Sequence, residues 1–224
     1  MTLPRDASLL WKILYVIATI FKPLFFRLKV EGREHVPEQG GCILVSNHTM
    51  GPDFLVLAYA CPRQVFYMAK MEIFGWHPLL TKLFISSGVF PVRRGQTDLA
   101  ALHAAVDLVR SGRIVGMFPE GTRSHTGILQ RGKSGASRIA MQAQAPVVPV
   151  VVLNSEKVLK RLGRRLRAPE VIVRFGKPFS INGDNADPAI TRHNTEKIMQ
   201  AIAALLPNEL RGEYATSPKV EALK

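Results

Sequence analysis

From Cys42 onward, short runs rich in Val, Ile and Phe alternate with segments whose apolar residues recur every three or four positions. The runs Cys42 to Ser46, Gln64 to Met68, Gly88 to Val92, Arg113 to Phe118, Val147 to Leu153 and Val171 to Phe175 predict strands. Thr97 to Ser111 predicts a helix, because Leu99, Leu102, Val106 and Val109 fall on one face and Gly112 supplies the stop. Pro188 to Leu206 predicts another, with Ile190, Ile198, Ile202 and Leu205 as its stripe. Strands alternating with helices predict a single-domain α/β sandwich, its sheet mostly parallel or mixed and flanked by helices. The 224 residues suit one domain with one sizeable core, and no repeat, low-complexity tract or long linker divides them.

The N-terminal pattern is different. Leu9 to Leu28 is mostly apolar and aromatic, interrupted by Lys12, Lys22 and Arg27 and broken at Pro23. Its uncharged stretch, Ile13 to Phe21, is shorter than the roughly 20 apolar residues that span a bilayer. No small-residue cleavage pattern follows, which argues against a signal peptide. An interfacial helix or helix pair fits, with cations snorkelling to headgroups; a helix packed into the protein's own core is the alternative. Three parts are therefore expected: a membrane-associating segment at 1–27, a catalytic-sized domain at 28–210 and a polar tail at 211–224.

Charge strengthens the membrane reading. Lys and Arg total 30 against 17 Asp and Glu, a formal net charge of +13. Such a field favours anionic partners: nucleic acid, an anionic membrane surface or phosphorylated substrates. No nucleic-acid-binding motif occurs, and the densest cationic run, Lys157 to Arg167, lacks interleaved aromatics, so no nucleic-acid partner is expected. That run reads either as a solvated surface or as a second contact with an anionic membrane. Localisation at the cytoplasmic face of a membrane, monotopic or peripheral, is the expectation. Cys42 and Cys61 form no CxxC pair and no metal-ligand set, so neither a disulfide framework nor a metal site is expected, and both thiols read as small buried hydrophobes.

Three clusters carry candidate chemistry, each at a predicted strand's end, where α/β sheets place ligands. In Asn47-His48-Thr49-Met50-Gly51-Pro52-Asp53, Gly51 and Pro52 supply the turn that lets Asp53 reach His48. A carboxylate that fixes one imidazole nitrogen as donor leaves the other free as a general base. Alone, this spacing is equally that of a loop leading into a helix whose first carboxylate meets the dipole. In Phe118-Pro119-Glu120-Gly121-Thr122-Arg123-Ser124, a Gly-containing turn offers backbone N–H groups, a hydroxyl and a guanidinium, a set suited to phosphate. Gly88 to Arg94 again ends a strand in arginines. The other histidines are read blandly: His103 and Asp107 as a surface pair, His35, His77, His125 and His193 as showing no ligand spacing.

Taken together, the ordered clusters resemble the glycerolipid acyltransferases typified by 1-acyl-glycerol-3-phosphate acyltransferase. The match lies in His48 with Asp53, Phe90 with Arg93, Glu120-Gly121-Thr122-Arg123 and Val148-Pro149-Val150, and covers about Leu28 to Phe179. The resemblance implies that His48 and Asp53 are catalytic and that Lys70, Arg93, Glu120, Gly121, Thr122 and Arg123 bind substrate. It makes residues 28–210 the acyltransferase domain. It further implies acyl-CoA or acyl carrier protein as co-substrate with no cofactor, and a lysophosphatidic acid-like acceptor converted to phosphatidic acid. Glycerol 3-phosphate or another lysophospholipid is the alternative acceptor. One departure stands out: the family often has Ser two residues after the His, where this chain has Met50.

Rivals are weaker. Gly127 to Ser134 satisfies the P-loop spacing, but Pro119 to Thr126 separates it from the preceding strand and no later strand ends in a magnesium-binding Asp. Lys133 then reads as a helix-start cation near the site or as simply exposed. No G-x-S-x-G elbow supports a serine hydrolase. A basic peripheral lipid-binding protein would explain the N-terminus but leave His48 and Asp53 without purpose. His48→Ala is expected to abolish acyl transfer while circular dichroism shows that the protein stays folded; retention of most activity would remove His48 from the mechanism.

Overall fold

The β-branched runs pair into one sheet, since strands covered on both faces can satisfy their backbone only through one another. The computed structural model describes residues 7–75, 77–92, 99–161 and 168–215. Within them the order is α1 (Leu9–Phe25), β1 (Arg27–Glu31), β2 (Cys42–Ser46), α2 (Asp53–Ala60), β3 (Val65–Lys70), α3 (Pro78–Ser86) and β4 (Val89–Val92). There follow α4 (Leu99–Arg110), β5 (Ile114–Met117), α5 (Gly135–Ala143), β6 (Val147–Leu153), α6 (Glu156–Arg161), β7 (Glu170–Phe175) and α7 (Pro188–Leu205). The strands lie in the order β1-β7-β6-β2-β5-β3-β4. All neighbours are parallel except β6 and β7, so the sheet is mixed, as the alternation predicts.

Alternate residues of the central strands serve opposite faces. Ile43, Val45, Val147 and Val151 meet Leu102 and Val106 of α4, Ile139 of α5, and Ile198 and Ile202 of α7. Leu44, Val148, Val150 and Val152 meet Val56 and Leu57 of α2 on the other side. Each such burial is worth about 1.5–3 kcal/mol relative to exposure. Because β6, β2, β5, β3 and β4 run in one direction, their carboxyl ends share one edge of the sheet. The Asn47 loop, the Phe118 turn and Ser155 all emerge there.

Three expectations need correction. An additional strand, β1, lines the sheet's edge; its pattern of exposed and half-buried residues carries too little apolar signal to stand out beside the aromatic run before it. The first helix continues through Pro23 to Phe25, because a proline in the last turn forfeits one N–H yet has a φ that the helix accepts. The boundary at 211 also moves: Tyr214 is 3% exposed and belongs to the core, while Arg211 Nε donates to the Leu206 carbonyl at 2.9 Å. Polar neighbours hide that apolar anchor from a reading of composition.

One side of α1 packs on the domain and the other is exposed. Trp11 stacks on Tyr15, and Tyr15 on Tyr59 of α2, with centroids 5.4 and 4.7 Å apart. Away from that stack, Leu9, Ile13, Ile17, Ile20 and Leu24 are exposed, Ile20 and Leu24 at 65% each. Among the described residues, no helix is long and apolar enough to cross a membrane.

Candidate active site

At the end of β2 the chain leaves the sheet without losing its grip on β6. The Asn47 side chain replaces the next ladder pair: its Oδ1 accepts from Val152 N at 2.9 Å and its Nδ2 donates to Val152 O at 3.1 Å. The loop then closes against the start of α6. A Cβ on Gly51 would lie 2.4 Å from the Ser155 carbonyl carbon and 2.5 Å from Glu156 N, so only glycine fits. Pro52 caps α2, and Asp53 opens it, where the helix dipole favours a carboxylate.

Asp53 is fully buried, and donors surround it. Its Oδ2 accepts from His48 Nδ1 at 2.9 Å and from Thr49 N at 2.6 Å. Its Oδ1 accepts from Thr49 Oγ1 at 2.9 Å and from Ser155 Oγ. An ionised carboxylate can be held this way away from water, since each oxygen is doubly hydrogen-bonded. With Nδ1 serving as donor to Asp53, the other ring nitrogen of His48 is the acceptor, the tautomer that a general base requires.

A second buried carboxylate ties the loops together. Glu120 Oε1 accepts from His48 N at 2.6 Å, and its Oε2 accepts from Gln130 N at 2.9 Å. Ser124 N returns a bond to His48 O at 2.7 Å. Desolvation pushes the Glu120 carboxyl above its ordinary value, opposed in part by the two backbone donors. Both oxygens are thus engaged inside the protein, which gives Glu120 an internal clamping role where the resemblance implied substrate contact.

Beneath the imidazole lies an aromatic stack. His48 stacks on Phe118 at 4.1 Å between centroids, and Phe118 on Tyr67 at 6.2 Å. The Tyr67 hydroxyl is buried, with no hydrogen-bond partner among the described residues, and desolvation raises the phenol's pKa well above normal.

The remaining predicted residues are distributed unevenly. Gly121 has a φ of +71° and lies so close to Lys133 that a Cβ would sit 3.0 Å from Nζ. Lys133 N also donates to Pro119 O at 2.7 Å, which brings this cation beside the Glu120 turn. Thr122 and Arg123 are exposed on that turn. Lys70 closes β3 at the shared edge, with its side chain outside the described parts. Arg93 lies outside the described residues, as do Arg164, Arg165 and Arg167 of the cationic run, whereas Lys157 is exposed on α6. The Gly127 to Ser134 segment does not form a P-loop: Leu129 is buried in the core and Gln130 N is committed to Glu120. His103 and Asp107 are exposed on α4, and His77 accepts from Leu79 N to cap α3.

Sequence reasoning overlooked Thr49, Ser155, Phe118 and Gln130. Ser155 offered a faint signal, as a hydroxyl just past a strand's carboxyl end. Cys42 and Cys61 are buried, and desolvation lifts both thiols to about 12, which keeps them inert near neutrality. Among the described residues, no group of three or more His, Cys, Asp or Glu could hold a metal ion.

This layout suits removal of a proton from a hydroxyl beside a turn able to receive an anion. A family model described as Acyltransferase matches residues 27–153, more than half of the chain. The human 1-acyl-sn-glycerol-3-phosphate acyltransferase alpha is 28% identical over 215 residues, covering 92% of this chain and 75% of that one. A 1-acyl-sn-glycerol-3-phosphate acyltransferase of Borreliella burgdorferi is 29% identical over 132 residues, 58% of this chain and 52% of that one. The crystal structure of a 1-acyl-sn-glycerophosphate acyltransferase from Thermotoga maritima shares the fold, with a TM-score of 0.65 at 22% identity, over 87% of this chain and 79% of that one. The protein is an O-acyltransferase. The chain belongs to the Acyltransferase family.

Two outcomes follow from the buried groups. Burial raises the Glu120 pKa, so the folded state binds more protons than the unfolded state above the ordinary value of 4.5. Its contribution to stability is therefore most favourable below that value and declines as pH rises through the raised pKa. Glu120→Gln cannot titrate, and the wild type's stability relative to that variant should fall over this window in denaturant titrations at stepped pH. Tyr67→Phe removes an unpartnered hydroxyl and should raise stability by about 1 kcal/mol in the same assay.

Proposed function

We propose that the enzyme moves a fatty acyl group from a thioester, acyl-CoA or acyl carrier protein, to the free hydroxyl of a 1-acyl-glycerol 3-phosphate, giving phosphatidic acid. The observation that carries this reading is the His48–Asp53 pair clamped through Glu120 to the turn bearing Arg123. The named relatives of human and Borreliella burgdorferi origin support the acceptor.

In this reading His48 takes the hydroxyl proton as the oxygen attacks the thioester carbonyl. The tetrahedral intermediate expels the thiolate, and the proton passes from His48 to the leaving sulfur. Asp53 keeps the ring oriented and stabilises the imidazolium, and general base catalysis of this kind is worth about 10²- to 10⁴-fold. The Gly121 amide donates to Phe118 O and is engaged within the turn, so the oxyanion would be met by other backbone N–H groups. Arg123, with Lys70 and Arg93 as the resemblance implies, would hold the acceptor phosphate. Thr122 would complete the acceptor-binding turn.

The acceptor and product are lipids, and the exposed apolar side of α1 supports a monotopic seat on the cytoplasmic face of an anionic membrane. The formal charge of +13 favours the same surface.

Arg123→Ala should raise KM for lysophosphatidic acid by about tenfold or more while leaving a phosphate-free lysolipid little changed; equal losses would refute the phosphate role. Replacing Ile20 and Leu24 together by Asp should cut sedimentation with vesicles containing anionic lipid by about tenfold or more. Unchanged sedimentation would remove α1 from membrane contact.

A further inference from the structure

Away from the His48 loop, a cleft of about 660 Å³ opens between the start of α5 and the first turns of α7, bounded on one side by Arg131 and Gly132. Its chemistry is cationic. Arg131 is satisfied by Glu213, its Nε lying 3.1 and 2.8 Å from the two carboxylate oxygens. Arg138 and Arg192 then face a single remaining carboxylate, that of Glu196. The Arg138 Nε is buried and has no hydrogen-bond partner among the described residues. Beside it, α5 begins at Ser134 with no side-chain cap and no acidic residue in its first turn, so its dipole is not answered from within the helix.

The cleft shares a wall with the catalytic turn. Gln130 N is bonded to Glu120 and Lys133 N to Pro119 O, while Arg131 and Gly132, between them, line the cleft. A ligand here would lie one chain segment from the Glu120 turn. We propose that this cleft binds the phosphates of a nucleotide-bearing acyl donor, with Arg138 and Arg192 as the anion contacts. The volume and the two guanidinium-bearing residues of the lining fit a nucleotide carrying several phosphate charges better than the single phosphodiester of a carrier protein's arm. The assignment rests on the acyl-thioester reading of the donor.

The test is titration calorimetry of the full chain in detergent with adenosine 3′,5′-bisphosphate, comparing wild type with Arg138→Gln and Arg192→Gln. Arg192 is exposed, so its variant separates a binding defect from a folding defect. Each substitution should weaken the nucleotide by about tenfold, and raise KM for acyl-CoA by a similar factor with KM for the lysolipid unchanged. No binding by the wild type, binding that both variants leave intact, or a rise confined to the lysolipid KM overturns the site. The calorimetry needs no acyl acceptor, so a wrong assignment of the lipid substrate would show in the transfer assay while the nucleotide result stood.

Discussion

The candidate active site depends on one buried carboxylate. Asp53 is held without access to water, yet its two oxygens receive the His48 ring, the Thr49 amide and hydroxyl and the Ser155 hydroxyl. Removing any donor would leave a buried charge less compensated, so the group is over-determined. The donors come from two places in the chain, the loop after β2 and the start of α6, and the glycine at position 51 is what permits their approach. Asp53 therefore both orients the candidate base and closes the loop that carries it.

Glu120 performs the complementary task for the neighbouring strand. Its oxygens bridge His48 N and Gln130 N, so the turn after β5 is locked to the His48 loop, and the segment leading to α5 is locked to that turn. The burial that raises its pKa has a cost, offset by two charge-assisted bonds to backbone donors. The Phe118 and Tyr67 rings fill the space beneath the imidazole. What faces outward on this frame is Arg123, together with Thr122 and Lys133. A rigid interior with cations at its rim suits a reaction in which an anionic acceptor must be held while the enzyme's own charges stay fixed.

The helix α1 has two dissimilar sides. Its aromatic side, through Trp11 and Tyr15, is stacked against Tyr59, and its aliphatic side is left uncovered. Docking by aromatics fixes the helix to the domain, which is a condition for presenting the aliphatic side in a constant direction.

How much was legible beforehand follows from the range of each interaction. The central strands declare themselves through continuous Val and Ile runs, and α4 and α7 through a 3.6-residue stripe, because burial on the sheet selects residues locally. The His48–Asp53 pair was legible because both partners sit within one turn. By contrast, β1 is an edge strand with a weak pattern, and Tyr214 reaches the core from a polar segment. Ser155 joins Asp53 from 102 positions away, and Glu120 turns from the surface to clamp His48 from a distance of 72 positions. The sequence by itself determined the α/β alternation, the pairing of the candidate base with its orienting acid, and the cations available for phosphate. Only the tertiary structure decided which polar groups face inward to compensate buried charge and which remain free for substrate, because that division is set by which strand ends meet at the sheet's edge.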